Sequence, residues 1–208
     1  MKDVKFCFAF VHDPGAFHSR KKIVEPSDIK GMKIRPATAT VGQMITMLGG
    51  TNVQASAPES REMLERGVAD AITFPWGSVG LFGIDKVVKY HMDVPLYVTP
   101  FVWVMNKDKY KALSPAQRKA VDDHCTSEWA EKVASSWADF EFAGRAKIAG
   151  LPGHEVYKLT PAQLDDWRKA VAPAETQWAK DVKDKTGMDP KPIMDSLKAD
   201  LVKYKSAL

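Results

Sequence analysis

Short strand-like and helix-like pieces alternate along the first ninety residues, and that rhythm admits few architectures. Val4 to Val11 is an apolar run rich in Val and Phe, closed by the turn signal Asp13-Pro14-Gly15. Met32 to Arg35 reads as a second strand stopped by Pro36. Thr40 to Leu48 carries Val41, Met44, Ile45 and Leu48 at helical spacing and ends at Gly49-Gly50. Asn52 to Ala55 reads as a strand, Pro58 to Arg66 as a helix ending at Gly67, and Val68 to Phe74 as a strand broken by Pro75. A βαβαβ order of this kind implies an α/β unit with a mainly parallel sheet.

The texture then changes. Val94 to Met105 is a long β-type run containing Pro95 and Pro100, bent enough to pass between two domains. Ser114-Pro115-Ala116-Gln117 is a capping box with Pro at the first helical position, and it opens a helix expected to run to about Ala149. Thr160-Pro161-Ala162-Gln163 repeats the device for a helix towards Thr186, and Asp189-Pro190 starts a last one to about Tyr204. Helices of this length brace or wrap two lobes. Trp129, Trp137 and Phe140 recur along the first of them and read as core packing.

Composition narrows the function classes. With 45% hydrophobic and 27% charged residues over 208 positions, the chain is an ordinary globular protein with a sizeable core. Lys and Arg exceed Asp and Glu by 30 to 26, and the surplus is spread along solvated helix faces, so no nucleic-acid partner is expected. Cys7 and Cys125 belong to no metal or redox motif. Two small buried thiols is the plainer expectation, with a disulfide as the alternative. Phe6 to Val11 is too short for a membrane span or a signal-peptide core, so no signal peptide is legible in this chain.

Arg35 is the leading candidate site residue. It ends a strand, and a helix begins near Thr38, so an anion there would meet both a guanidinium fork and a helix N-terminus. From spacing alone, an Arg at a strand end is more often a surface ion pair. Phe74 and Trp76, at the end of the strand from Val68, can wall a pocket or belong to the core. His12, His18, His91, His124 and His154 include no pair at metal-ligand spacing on one helix, and no P-loop, dinucleotide or nucleophile motif occurs. Neither metal nor cofactor is expected. The lack of a catalytic constellation speaks for binding over catalysis.

At Asp28-Ile29-Lys30-Gly31-Met32-Lys33-Ile34-Arg35 the sequence resembles the DctP-type substrate-binding receptors of tripartite ATP-independent periplasmic (TRAP) transporters, whose pattern is D-L-K-G-L-K-I-R. The likeness continues in order through Met47-Leu48-Gly49-Gly50, Pro58-Glu59 to Asp70, and Val104-Met105-Asn106-Lys107 followed by Leu113-Ser114-Pro115. The resemblance implies a two-lobed periplasmic-binding-protein (type II-like) architecture, closing over a ligand whose carboxylate is held by Arg35. It implies a small organic-anion ligand, membrane subunits of the transporter as partners, a periplasmic location and no enzymatic activity.

Members also carry an export signal and a further βαβ segment before the equivalent of Val4. One lobe is therefore expected to be incomplete here, and the chain as it stands to self-associate. Residues 1–95 would form the lobe carrying Arg35, 96–150 the crossing strand and long helix of the second lobe, and 151–208 a strand and helices packing back on the first. This chain departs from the family where many members have D-G-x-E-N-P. Phe74 stands in place of the Asn that helps to hold the carboxylate, which shifts the expected ligand towards a less polar, aromatic or branched acid. Thr38 offers a hydroxyl three residues after the Arg, and Ala57 leaves room where many members have a bulky aromatic. A ligand-sensing cytoplasmic domain of the same fold is the alternative.

Overall fold

The computed structural model describes residues 2–206. In chain order its strands are β1 (Val4–Val11), β2 (Gly15–Ser19), β3 (Lys33–Arg35), β4 (Thr51–Asn52), β5 (Ala71–Phe74), β6 (Tyr90–Tyr97), β7 (Pro100–Asn106) and β8 (Glu155–Tyr157). The helices are α1 (Ala39–Met47), α2 (Ser60–Glu65), α3 (Trp76–Leu81), α4 (Lys107–Ala112), α5 (Pro115–His124), α6 (Ser127–Ala149), α7 (Pro161–Val171), α8 (Pro173–Thr186) and α9 (Pro190–Lys203).

Two sheets organise these elements. The larger has the order β4-β3-β5-β2-β6-β8, and β1 and β7 form a separate two-stranded ribbon. The expected parallel core is present, since β3 pairs in parallel with both β4 and β5. β2 makes the sheet mixed, running antiparallel to β5 on one side and β6 on the other. It had no reading as a strand in the sequence. All five of its residues are buried, so no alternation of polar and apolar positions marks it, and His18 and Ser19 disguise an interior strand as a loop.

β1 lies where the sequence reading had not put it. It pairs with β7 from Val4 opposite Asn106 to Val11 opposite Pro100, so residues 1–95 contribute to both sheets. The run from Val94 to Met105 is two strands, with Val98 and Thr99 between them. The chain thus crosses between sheets twice, from β1 into β2 through His12 to Pro14, and from β6 into β7.

Both capping boxes form. Ser114 and Gln117 exchange side-chain hydrogen bonds with each other's backbone N–H, as do Thr160 and Gln163. The helices they open are shorter than expected. Cys125 leaves helical geometry and Thr126 caps a new helix by accepting the Trp129 N–H, so one expected helix is α5 and α6. Pro173, lacking an N–H, divides the other into α7 and α8. Cys125 is bonded to Cys7, so the two cysteines form a disulfide rather than separate buried thiols.

The core lies on the two faces of the larger sheet. Phe17, Ile23, Ile34, Ile45, Met92 and Trp167 are buried together on one side, under α1 and α7. Leu64, Ile72, Phe74, Trp76, Val79 and Ile84 are buried on the other, with α2, α3 and Ile148 of α6. α6 crosses α3 at close range, because a Cβ on Gly144 would overlap the Gly77 backbone. Glu141, fully buried at that crossing, accepts from the Gly77 and Ser78 N–H groups, the Ser78 hydroxyl and the Trp137 indole N–H. Four donors satisfy the buried carboxylate, which occupies the start of α3. Trp129 and Trp137 are only half-buried and Phe140 is exposed, so they are not the core seam read from their spacing.

Candidate functional site

Arg35 is the last residue of β3, at the carboxyl end of the three parallel strands. Pro36 stops the strand, the Ala37 N–H donates to the Thr73 hydroxyl (2.8 Å), and Thr38 caps α1 by accepting the Val41 N–H (3.2 Å). This strand-to-helix turn sits where open α/β sheets place their ligands. Arg35 is only 8% exposed. Its Nε–H donates to the Ala55 carbonyl (3.1 Å), and the guanidinium lies 5.3 Å above the centre of the Phe74 ring.

Among the described residues, Arg35 has no carboxylate within ion-pair distance. Burial holds its pKa below the usual arginine value, opposed by the nearby Tyr97. A buried cation without a counter-ion is costly, and an arriving anion would relieve that cost. The surface grooves of roughly 420–860 Å³ are lined by other residues.

The four residues singled out from the sequence have different fates. Arg35 and Phe74 come together, the ring acting as a platform under the guanidinium while its other side packs edge-on against Phe82 at 5.6 Å. Thr38 lies on the same turn, with its oxygen engaged by the helix it caps. Trp76 opens α3 and turns towards His18, meeting that ring edge-on at 5.0 Å within the core.

A chain of histidines runs beneath this strand end. His18 Nε2 lies 3.0 Å from the Phe74 carbonyl, His18 Nδ1 2.8 Å from His91 Nδ1, His91 Nε2 2.9 Å from His154 Nδ1, and His154 Nε2 2.9 Å from Lys89 Nζ. The ends dictate the proton positions. The Phe74 carbonyl can only accept, so His18 carries its proton on Nε2 and accepts at Nδ1. His91 must then donate from Nδ1 and accept at Nε2. His154 donates from Nδ1 and accepts at Nε2 from the Lys89 ammonium. All three rings are neutral in this pattern. Burial pushes His18 down to about 4, and burial together with neighbouring His18, His154 and Lys89 pushes His91 down to about 2. His154 is lowered by burial and by Lys89. No local spacing marks the chain, because its members lie 73 and 63 positions apart. Among the described residues, no cluster of three or more His, Cys, Asp or Glu side chains is arranged to hold a metal ion.

Residues 13–181 match the family described as bacterial extracellular solute-binding protein, family 7 (DctP). A TRAP solute-binding protein from Rhodoferax ferrireducens, solved with copurified benzoate, superposes with a TM-score of 0.88 at 26% identity, covering 98% of this chain and 65% of that one. A marine-metagenome TRAP protein specific for aromatic acid ligands, solved with metahydroxyphenylacetate, gives 0.87 at 30% identity over 98% and 65% of the two chains. One from Bordetella bronchiseptica with bound mandelate gives 0.85 at 26% identity over 97% and 64%.

Among curated proteins, the outer membrane transporter protein TsaT of Comamonas testosteroni is 26% identical over 187 residues, 86% of this chain and 54% of that protein. The chain therefore spans about half the length of this curated relative and just under two thirds of the solved structures. It belongs to the DctP family of extracellular solute-binding proteins, and its α/β architecture is that of the two-lobed TRAP receptors.

Proposed function

We propose that this chain forms the ligand-holding part of a periplasmic TRAP receptor, and that it captures a small aromatic carboxylate through Arg35 for delivery to the membrane subunits. The observation that carries the reading is a nearly buried Arg35 with no carboxylate partner among the described residues, laid on the Phe74 ring at the carboxyl end of the parallel strands. The guanidinium supplies a planar fork for a carboxylate and the ring gives the site an apolar floor. Thr38 stands next to it as a further polar contact, and Trp76 supports the site from the core. Structural relatives were solved with benzoate, mandelate and metahydroxyphenylacetate, acids that fit such a floor. The Cys7–Cys125 disulfide favours an oxidising compartment over the cytoplasmic alternative.

Calorimetry on the complete protein with benzoate tests the assignment. Arg35→Lys keeps the charge but loses the fork, and is expected to weaken binding by about 1.5–3 kcal/mol, one to two decades in Kd. Unchanged affinity in that variant would remove Arg35 from the site.

A further inference from the structure

The hydroxyl of Tyr97, near Arg35, is a buried polar group that takes no part in the hydrogen bonding of the sheet. Tyr97 ends β6 and pairs with Gly15 of β2. Its ring lies across that glycine so closely that any side chain at position 15 would overlap it. The Tyr97 hydroxyl is out of contact with solvent and, among the described residues, meets no partner in hydrogen-bonding geometry. Native proteins rarely leave such a group unpaired, because its desolvation is not repaid.

The surroundings indicate what partner is missing. Arg35 and the buried Glu141 carboxylate both act electrostatically on the phenol, and the Thr73 hydroxyl, which accepts the Ala37 N–H, lies beside it as a hydrogen-bond neighbour without meeting it in bonding geometry. Burial pushes the phenol well above the ordinary tyrosine pKa, so it is held as an O–H donor. The free N–H groups of Arg35 are donors as well, and a guanidinium can do nothing else. Tyr97 and Arg35 thus offer donors from two elements of the same sheet, and among the described residues no carboxylate pairs with Arg35. The phenol ring belongs to an aromatic cluster. His12 meets the Tyr97 ring edge-on at 6.0 Å, and Phe101 and Trp137 lie 5.7 and 5.8 Å from His12.

We propose that Tyr97 is a second ligand-binding residue, whose hydroxyl donates to the carboxylate held by Arg35 while the aromatic cluster it belongs to receives the ring of the acid. This deepens the reading of Arg35 as the anion anchor and rests on it. Tyr97 stands where β6 leaves the larger sheet for the ribbon, and Gly15 stands just after the chain has crossed the other way. The hydroxyl is out of contact with solvent in this structure, so the proposed bond requires that it be uncovered at these crossings when the acid binds.

Benzoate calorimetry and ligand-free thermal unfolding of the complete protein, for wild type, Tyr97→Phe and Arg35→Lys, decide the matter. Tyr97→Phe is expected to weaken benzoate about tenfold. It should leave the ligand-free Tm unchanged or raised, since the substitution removes an unpaired buried hydroxyl and retains the ring. A lowered Tm with unchanged benzoate affinity would overturn the proposal, because the hydroxyl would then be supporting the fold. If Arg35→Lys weakens benzoate and Tyr97→Phe does not, Tyr97 alone drops out. If neither variant changes affinity, the anion site itself has been misplaced.

Discussion

In the larger sheet, β2 and β5 are buried along their whole length, whereas no residue of β7 in the ribbon is fully buried. The contrast extends to how polar groups are treated. The sheet encloses His18, His91 and Arg35, and the histidines are hydrogen-bonded end to end. The ribbon leaves Phe6, Val102, Trp103 and Val104 substantially exposed and is joined to the end of α5 by a disulfide. Burial on both faces can hold a sheet whose strands are only two to eight residues long. A two-stranded ribbon with open faces has little to bury, and a lone hairpin-like pair is marginal in water. The covalent link and the packing of α6 on β1 make up for that.

The largest effect should therefore come from removing the disulfide. Cys7 and Cys125 close a loop with a sequence separation of 118. Chain entropy for a loop of that order gives about 5 kcal/mol as an upper figure, with about 2–4 typical in practice. Cys7→Ser with Cys125→Ser is expected to lower unfolding stability by that amount. Hydrogen exchange should show the loss first in the amides of β1 and β7, ahead of β2 and β5. Equal loss of protection in both sheets would mean that they unfold as one unit and that the contrast has no energetic content.

A smaller effect should come from acid, and it should originate in the larger sheet. The folded-state pKa of His18 lies near 4, below its ordinary 6.5. Below pH 6.5 the unfolded chain therefore takes up a proton that the folded chain refuses. Stability is complete above that pH and falls as the pH drops towards 4. His18 alone contributes a loss of about 2 kcal/mol between pH 6.5 and 5. His91, pushed down to about 2 mainly by burial, acts in the same direction. Denaturant titrations across this range read the slope, and His18→Gln should flatten it. A stability that is level between pH 7 and 5 would show that the histidines charge freely in the folded state and that the hydrogen-bonded chain does not hold.

What could be read from the sequence divides along the same line. Arg35, the Pro36 stop and the Thr38 cap are neighbours in the chain, so their geometry follows from local rules and was legible. The two capping boxes were legible for the same reason. The breaks at Cys125 and Pro173 are local too. Both were overrun because the helical periodicity continues across them, although Pro173 by itself carried the signal. β2, the histidine chain and the disulfide arise from contacts over tens to more than a hundred positions, which no spacing rule reaches. Trp76 could be read from the sequence as pocket wall or as core, because a strand end by itself does not say which way the next ring turns. Its ring meets His18 within the sheet core.

The smallest effect on stability tests what the ribbon's open surface does. Val102 and Val104 are about half-exposed and, with Trp103, Lys5, Val121 and the disulfide, line a groove of about 670 Å³. Apolar strands with open faces tend to pair with other copies, and contiguous apolar surface of this kind is uncommon on monomers. We expect the chain as it stands to associate as concentration rises. Val102→Thr with Val104→Thr keeps the β-branched shape that the strand favours and changes only the polarity of the face. The pair should alter unfolding stability by less than about 1 kcal/mol, since exposed positions contribute little. It should nevertheless shift light-scattering mass towards the monomer. The same exchange at Ile34 or Ile72, both fully buried in the larger sheet, should do the reverse, lowering stability without touching association in the folded state. Equal stability losses at both places would show that the ribbon face is packed as tightly as the core. A monomeric wild type at all concentrations would show that the exposed valines are tolerated surface.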